Sequence, residues 1–380
     1  MNVPLEELPR SDKVEGAPHP SETSTIFGQQ EASNQFLTAF NAGRLHHAWM
    51  VTGERGIGKA TLTWQIAKFL LATPDPIDGE GLFGTPEPVS TLSIDAQHPI
   101  TRRIRAGSEP GVMSVRRAYD EKRKKFKQMI TVDEIRNLKS FFTLSATDGG
   151  RRIVIVDCAE AMSQSAANAL LKILEEPPQN AYLFLISHQH ARLLPTIRSR
   201  CRELRLKKLS PFNIAKSLEA AEVDVSGIDP NALAVLAGGS VGAAVKLMNL
   251  NGLEVFKKIL DVFETLPRLD NEKALALSET FSRSNGPNTF DFFVSLLELT
   301  LNRLAIIGTK ADGQAGPTIF NEATVFQRLC PNRHAAIQWA ELTQELSARL
   351  RQGHAVNLDP GALILDTFFQ IEACAATTAQ

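Results

Sequence analysis

No Cys-x-x-Cys pair occurs anywhere in this chain of 380 residues. Its four cysteines, Cys158, Cys201, Cys330 and Cys374, stand far apart. That spacing fits neither a disulfide framework nor a zinc site, and it suits a reducing cytoplasm. Charge of one sign is lacking as well. A formal net charge of −1 argues against a protein that lives coated on nucleic acid or on an anionic membrane, though it leaves room for a local basic patch. Nor does any apolar run approach the ~18 residues that span a bilayer. The opening stretch, MNVPLEELPRSDKVEGAPHPSETST, has no apolar core of the kind a secretory signal requires. It is polar and carries Pro4, Pro9, Pro18 and Pro20, so residues 1–25 are expected to form a disordered tail. A cytoplasmic protein with no membrane partner is the expectation.

What is present is ordinary for a globular chain: 43% hydrophobic and 22% charged residues, at a length that accommodates two or three domains. No internal repeat stands out. Phe36, Leu37, Phe40 and Leu45 predict a helix ending near Gly43. AWMVTG reads as a short buried strand, and Ala60–Leu71 continues as a helix with Leu62, Ile66, Phe69 and Leu70 on one face. Residues 73–98, rich in Pro and Gly, predict a surface insertion. VMSVRR at 112–117 is a strand candidate, and ITVDEIRNLKSFFTL reads as a strand end feeding a helix. RRIVIVD at 151–157 is the clearest buried strand. SQSAANALLKILEE at 163–176 is a helix stopped by Pro177 and Pro178. AYLFLIS at 181–187 and RELRLKKL at 202–209 complete a set of strands alternating with helices, which implies a mostly parallel sheet covered on both faces. Beyond Ser210 only helical periodicity remains.

Residues 53–61, GERGIGKAT, nearly spell the phosphate-binding loop G-x-x-x-x-G-K-[ST]. Gly53, Gly58 and Lys59 hold the required spacing, and Gly56 adds freedom inside the loop. Strand, glycine turn and helix N-terminus are the context in which backbone N–H groups cradle phosphate oxygens and a lysine reaches the outer phosphates. A chance glycine turn is the bland alternative. The position that needs a hydroxyl for Mg²⁺ is Ala60, whose methyl offers the metal nothing. Thr61 does not replace it simply, because one residue further round a helix is rotated by roughly 100°. Phosphate can fit such a loop, whereas tight Mg²⁺ chelation is not expected.

IVIVD ends in Asp157, where a carboxylate would hold a nucleotide-bound metal through water. The bland reading is a strand-end aspartate capping the next turn. Cys158 follows where a hydrolysing site usually places a glutamate, and Glu160 lies further on with no assured direction. In NALLKILEEPP, Leu170, Ile173 and Leu174 form an ordinary packed face. Glu175 and Glu176 sit where the helix dipole disfavours negative charge. TIRSRC, with Ser199 and Arg200, follows Pro195 on a surface segment from which an arginine could reach a neighbour's phosphates.

Taken together, GRLHHAW, the GERGIGK loop, IVIVD, NALLKILEEPP and TIRSRC occur in one order, and the chain resembles the AAA+ clamp-loader subunits of bacterial DNA polymerase III over about residues 26–206. LSPF at 209–212 resembles the start of that family's lid. The resemblance implies an AAA+ P-loop α/β domain at 26–207, a helical lid at 208–252 and a helical collar for oligomerisation at 253–380. The family includes ATP-hydrolysing tau/gamma motors and delta-prime subunits. Ala60, Cys158 and Gly242 all depart from the motor pattern, the last where a lid arginine would follow Gly239 and Ser240. Arg200, which would serve a neighbour, is intact. By resemblance, then, the chain is a delta-prime type that donates Arg200 in trans and is largely inactive as an ATPase. Its degenerate nucleotide site would comprise Gly53, Gly56, Gly58, Lys59, Thr61 and Asp157, and would hold ATP or ADP weakly at most. Members often carry a four-cysteine zinc module, but residues 72–110 hold no cysteine, so no zinc is expected there.

The implied partners are the tau/gamma motors and the delta subunit, with the sliding clamp and primed DNA reached through the complex. A motor-type ATPase and, more distantly, a small-molecule P-loop kinase are the rival readings. The basic stretch from Arg116 to Lys127 reads as a solvated loop, with phosphate contact to DNA as the sharper alternative. His46 and His47 lack partners at metal spacing and read as structural.

Overall fold

A computed structural model of the chain describes residues 9–76, 88–143, 150–225, 228–282, 289–309 and 317–378. Parts of the expected tail, of the insertion at 73–98 and of two Gly- and Pro-containing stretches that interrupt the helical periodicity, 285–287 and 313–317, lie outside these residues. Two compact units emerge: residues 1–226 with 237–245, and residues 227–236 with 246–380.

In the first unit the chain runs α1 (Gln30–Asn41), β1 (Ala48–Thr52), α2 (Lys59–Ala72), α3 (Pro99–Arg105), β2 (Val112–Val115), β3 (Tyr119–Asp120), β4 (Lys125–Phe126) and α4 (Val132–Thr143). It continues with β5 (Arg152–Asp157), α5 (Gln164–Glu175), β6 (Ala181–Ser187), α6 (Pro195–Arg198), β7 (Arg202–Arg205) and α7 (Pro211–Ala220). Five strands form one sheet in the order β2-β5-β6-β1-β7, and every neighbouring pair is parallel. Continuous apolar runs are what such a sheet demands, because helices cover both faces. On one face Met50, Val154, Val156, Leu183 and Leu185 pack with Leu170, Ile173 and Leu174 of α5. On the other, Phe36 of α1 packs at 5.3 Å from Trp49 and 6.2 Å from Phe184, and Phe40 meets Phe69 of α2 edge-on. The mostly parallel α/β expectation is met. Helix α5 starts where the Ser163 hydroxyl accepts the Ala166 N–H at 3.2 Å. It stops at Glu175, ahead of Glu176-Pro177-Pro178, which cannot continue it.

Residues 9–24 differ from the disordered tail expected of them. The His19 ring is 2% exposed, lies 3.0 Å from the buried Asp12 carboxylate and meets Trp64 edge-on. Arg116 approaches the same carboxylate at 3.4 Å. From α2, Gln65 donates to Ser24 O at 2.7 Å and Lys68 to Thr23 O at 3.0 Å. Polar composition misleads here because the segment docks through charge and hydrogen-bond partners far along the chain. The strand expected at 202–209 is shorter, ending at Arg205. The basic stretch is a small hairpin in which β3 and β4 pair antiparallel, with Tyr119 against Phe126 at 5.3 Å.

The second unit is helical throughout its described residues, as the periodicity predicts. It holds most of α8 (Pro230–Ala237), the end of α9 (Val241–Asn249), α10 (Gly252–Phe263), α11 (Asn271–Ser282), α12 (Thr289–Thr309), α13 (Glu322–Leu329), α14 (Arg333–Ala355) and α15 (Pro360–Thr378). Phe256, Phe263, Phe293, Phe326, Trp339 and Phe368 are fully buried. The buried Glu322 receives Arg303 in a fork, Nη2 to Oε2 at 2.8 Å, and its own Oε2 accepts the Ile319 N–H at 3.2 Å. Pairing of this kind is what makes a buried carboxylate tolerable. No single described helix is long and apolar enough to cross a membrane.

Leu170 is fully buried between α5 and the sheet. Leu170→Ala is expected to lower stability by about 2–5 kcal/mol. Urea unfolding of the full chain checks this, and a loss below about 1 kcal/mol would contradict the packing described.

Candidate functional site

The loop Gly53–Gly58 joins β1 to α2, and left-handed Gly58 forms the N-cap of α2. Lys59 starts that helix, yet its side chain folds back into the loop. Its ammonium donates to Gly53 O at 2.8 Å and to Glu54 O, leaving Lys59 only 3% exposed. Two of its three donors are thus spent on the loop's own carbonyls. Ala60 and Thr61 occupy the next two positions of the helix, Thr61 half-buried.

A second restraint closes over the loop from the segment that opens α9. The Ser240 hydroxyl donates to Arg55 O at 2.9 Å, and Ser240 Oγ itself accepts the Ala243 N–H at 3.0 Å. The Gly242 N–H donates to Gly56 O at 3.0 Å. A Cβ at Gly242 would lie 3.1 Å from Gly56 Cα, and one at Gly56, whose φ is +76°, would strike the Ser240 hydroxyl and come within 3.0 Å of Gly242 Cα. Backbone packs on backbone here: left-handed Gly56 needs glycine, and a side chain at 242 would require the Gly56 backbone to give by a few tenths of an ångström.

Strand order brings three chain ends together. β6 lies between β1 and β5, with Thr52 opposite Ser187 and Ile186 opposite Asp157. The Asp157 carboxyl is pushed up to about 6, by burial first and then by Asp12, while the Lys59 charge pulls it down. Burial lowers Lys59 to about 8 against the attraction of Asp157. Glu160, uncertain from the sequence, turns toward β6 and accepts the His188 N–H at 2.9 Å. Burial and the nearby Lys59 charge depress His188 to about 4, and burial raises the Cys158 thiol to about 11. Sequence reasoning missed His188 and Asp12, and it marked Ser240 only as part of an incomplete lid pattern without placing it over the loop. Neither His188 nor Asp12 has a motif around it: strand adjacency brings His188 to this corner, and the docking of residues 9–24 brings Asp12 within electrostatic reach of Asp157.

Arg200 sits elsewhere. β7 runs parallel to β1 with Arg202 opposite Trp49 and Arg205 opposite Thr52. Arg200 therefore precedes β7 at the amino end of the sheet, while the Gly53–Gly58 loop leaves β1 at the carboxyl end. Four to five residues of strand at about 3.3 Å each put roughly 15 Å between those levels. Helix α5 returns to that same amino end, where its Leu174 carbonyl lies 3.1 Å from His47 Nε2. There Glu175 pairs with Arg200 at 2.8 Å, and Arg200 also donates to Thr196 O at 3.1 Å. Ser199 donates to the same carbonyl at 3.2 Å. The Arg200 side chain keeps 36% of its surface exposed. His46 and His47 stack on each other and hydrogen-bond backbone groups. On the β3–β4 hairpin, Lys122, Arg123, Lys124, Lys125 and Lys127 are exposed, while Arg116 turns to Asp12.

A family model described as "DNA polymerase III, delta subunit" matches residues 28–210. The DNA polymerase III subunit delta' of Pseudomonas aeruginosa is 33% identical over 250 residues, covering 65% of this chain and 69% of that protein. Its Escherichia coli counterpart is 30% identical over 213 residues, 56% and 58% of the respective chains. The tau subunit of Escherichia coli is 26% identical over 273 residues, which is 70% of this chain and 39% of tau.

The mutual influence of Lys59 and Asp157 has a measurable sign. Removing the cation in Lys59→Met removes the attraction that holds the Asp157 carboxyl down, so its pKa is expected to rise above about 6. Carboxyl ¹³C NMR titration reads this directly, and an unmoved Asp157 would place Lys59 out of electrostatic reach.

Proposed function

This chain belongs to the delta-prime subunit family of the bacterial DNA polymerase III clamp loader, and from that premise we propose that it serves the assembly as a non-hydrolysing AAA+ subunit. In this reading it assists ATP-dependent loading of the sliding clamp onto primed DNA and donates Arg200 to the nucleotide of a neighbouring tau/gamma motor. The observation that carries the reading is the separation of its parts across the sheet. Its own loop is at the carboxyl end, spanned by Lys59 and covered by the Ser240–Gly242 turn. Arg200 is at the amino end, half-exposed and paired there with Glu175. An arginine so placed has no route to its own loop and is available to another subunit's phosphates. In the free chain the Glu175 pair holds the guanidinium. A surface pair of this kind is worth about 0–1 kcal/mol, little against a forked, charge-assisted bond to phosphate.

Supporting the non-hydrolysing part are Ala60 at the metal-ligand position, Cys158 after the strand-end aspartate, and glycine at 242, packed against Gly56, where a lid arginine would stand. ATP or ADP binds weakly at most in this proposal. Tau and gamma relatives also match, and they favour a second reading as a motor. That reading requires the loop to release Lys59 and to find a metal ligand in Thr61 or water.

We assign residues 26–207 to the AAA+ domain, 208–252 to the lid and 253–380 to a collar that joins the subunits. The collar assignment is supported by apolar side chains left exposed on its helices, among them Leu275, Ile306, Ile337 and Phe369. Tau/gamma and delta are the proposed partners, with clamp and DNA reached through the complex.

In a reconstituted complex, Arg200→Ala is expected to leave assembly intact and to silence one motor site. Arginine fingers supply about 10³–10⁵ in turnover at the site they serve. Clamp- and DNA-stimulated ATPase should therefore fall while the remaining sites continue, and Lys59→Ala should do far less. The reverse ranking would support the motor reading. Independently, a chain ending at Asn251 is expected to remain folded but fail to co-elute with the other subunits. Co-elution at native stoichiometry would remove the collar assignment.

A further inference from the structure

Three side chains of metal-binding type meet just past the carboxyl ends of β5 and β6. Cys158 and Glu160 follow β5, His188 follows β6, and one ligand atom from each lies within 4.8 Å of the other two. The parallel register creates this meeting, since Asp157 stands opposite Ile186. Left-handed Cys158, with φ +67°, then leads into the single turn Ala159–Ala161 that carries Glu160 toward β6. Glu160 divides its two oxygens. Oε1 accepts the His188 N–H, while Oε2 is buried without a hydrogen-bond partner, as is His188 Nδ1. Two orphaned polar atoms in one cluster are a feature that folded proteins avoid unless something else satisfies them.

We propose that Cys158 Sγ, a Glu160 carboxylate oxygen and His188 bind one zinc-class divalent cation at the end of β5 and β6. Thiolate, imidazole and carboxylate form a ligand set for zinc and its neighbours. Mg²⁺ prefers an all-oxygen octahedron. Bonds of about 2.0–2.3 Å in a tetrahedron separate ligand atoms by roughly 3.4–3.6 Å. The observed ligand atoms, all within 4.8 Å of one another, lie at most roughly 1.4 Å beyond that spacing, and three protein ligands leave the fourth position for water. The charges balance: thiolate and carboxylate neutralise the dication, imidazole binds neutral, and the displaced thiol proton passes to solvent. The His188 N–H already fixes Glu160 through Oε1, the outer hydrogen bond that orients a ligating carboxylate. Such an ion ties the turn after β5 to the end of β6, independently of any clamp-loader role.

Cobalt(II) is the probe, added to the full-length chain after chelator treatment. One equivalent is expected to bind, with intense near-ultraviolet thiolate-to-cobalt absorption that Zn²⁺ removes and excess Mg²⁺ does not. Cys158→Ser should abolish the band and Cys201→Ser should retain it. His188→Gln should weaken binding by at least about tenfold. Zn²⁺ should raise the Tm of the unmodified chain and not that of Cys158→Ser. Absence of the band at excess cobalt, its survival in Cys158→Ser, or displacement by Mg²⁺ would each overturn the proposal.

Discussion

Parallel pairing of β6 between β1 and β5 is the constraint on which the rest of the first unit depends. Once neighbouring strands run the same way, every loop that leaves a strand falls on one edge and every loop that enters falls on the other. The glycine loop, Asp157 and His188 are exits. His47, Arg200 and the returning end of α5 with Glu175 are entries. No local preference of these residues separates them. The apolar runs AWMVT, RIVIVD and AYLFLIS do so, because each is buried on both faces and pairs only in this sense.

At the exit edge, the loop is held in two ways that differ in strength of commitment. The Gly56–Gly242 approach is backbone against backbone, with no side chain to rotate away. Lys59 is different. Its ammonium bonds carbonyls of its own loop and sits near Asp157, so its burial is compensated within the site. A phosphate could win the lysine by charge, but only by taking those bonds apart. Ala60, the next residue of the helix, brings no side-chain oxygen to the loop. Loop geometry and missing hydroxyl act in the same direction.

Much of this was legible in the residues. The strand–loop–helix around GERGIGK, the stop at Pro177-Pro178 and the helical character of the second unit follow from periodicity and backbone chemistry. The loss of the hydroxyl at Ala60 is visible in a single letter. The docking of residues 9–24 was not legible, because Asp12, His19 and Arg116 are polar residues whose partners lie far along the chain. Glu160 was noticed without a direction, and His188 had no motif to mark it.

The sequence by itself determined a parallel α/β unit with a glycine-rich loop between its first buried strand and the following helix, helices after Ser210, and alanine at position 60. These are local properties, set by spacing, side-chain chemistry and the backbone limits of glycine and proline. Only the tertiary structure decided that Arg200 lies at the opposite edge of the sheet from its own loop, that Gly242 packs on Gly56, and that Cys158, Glu160 and His188 share one corner. Each depends on strand order and register, which bring distant residues together through hydrogen bonds that no local window contains.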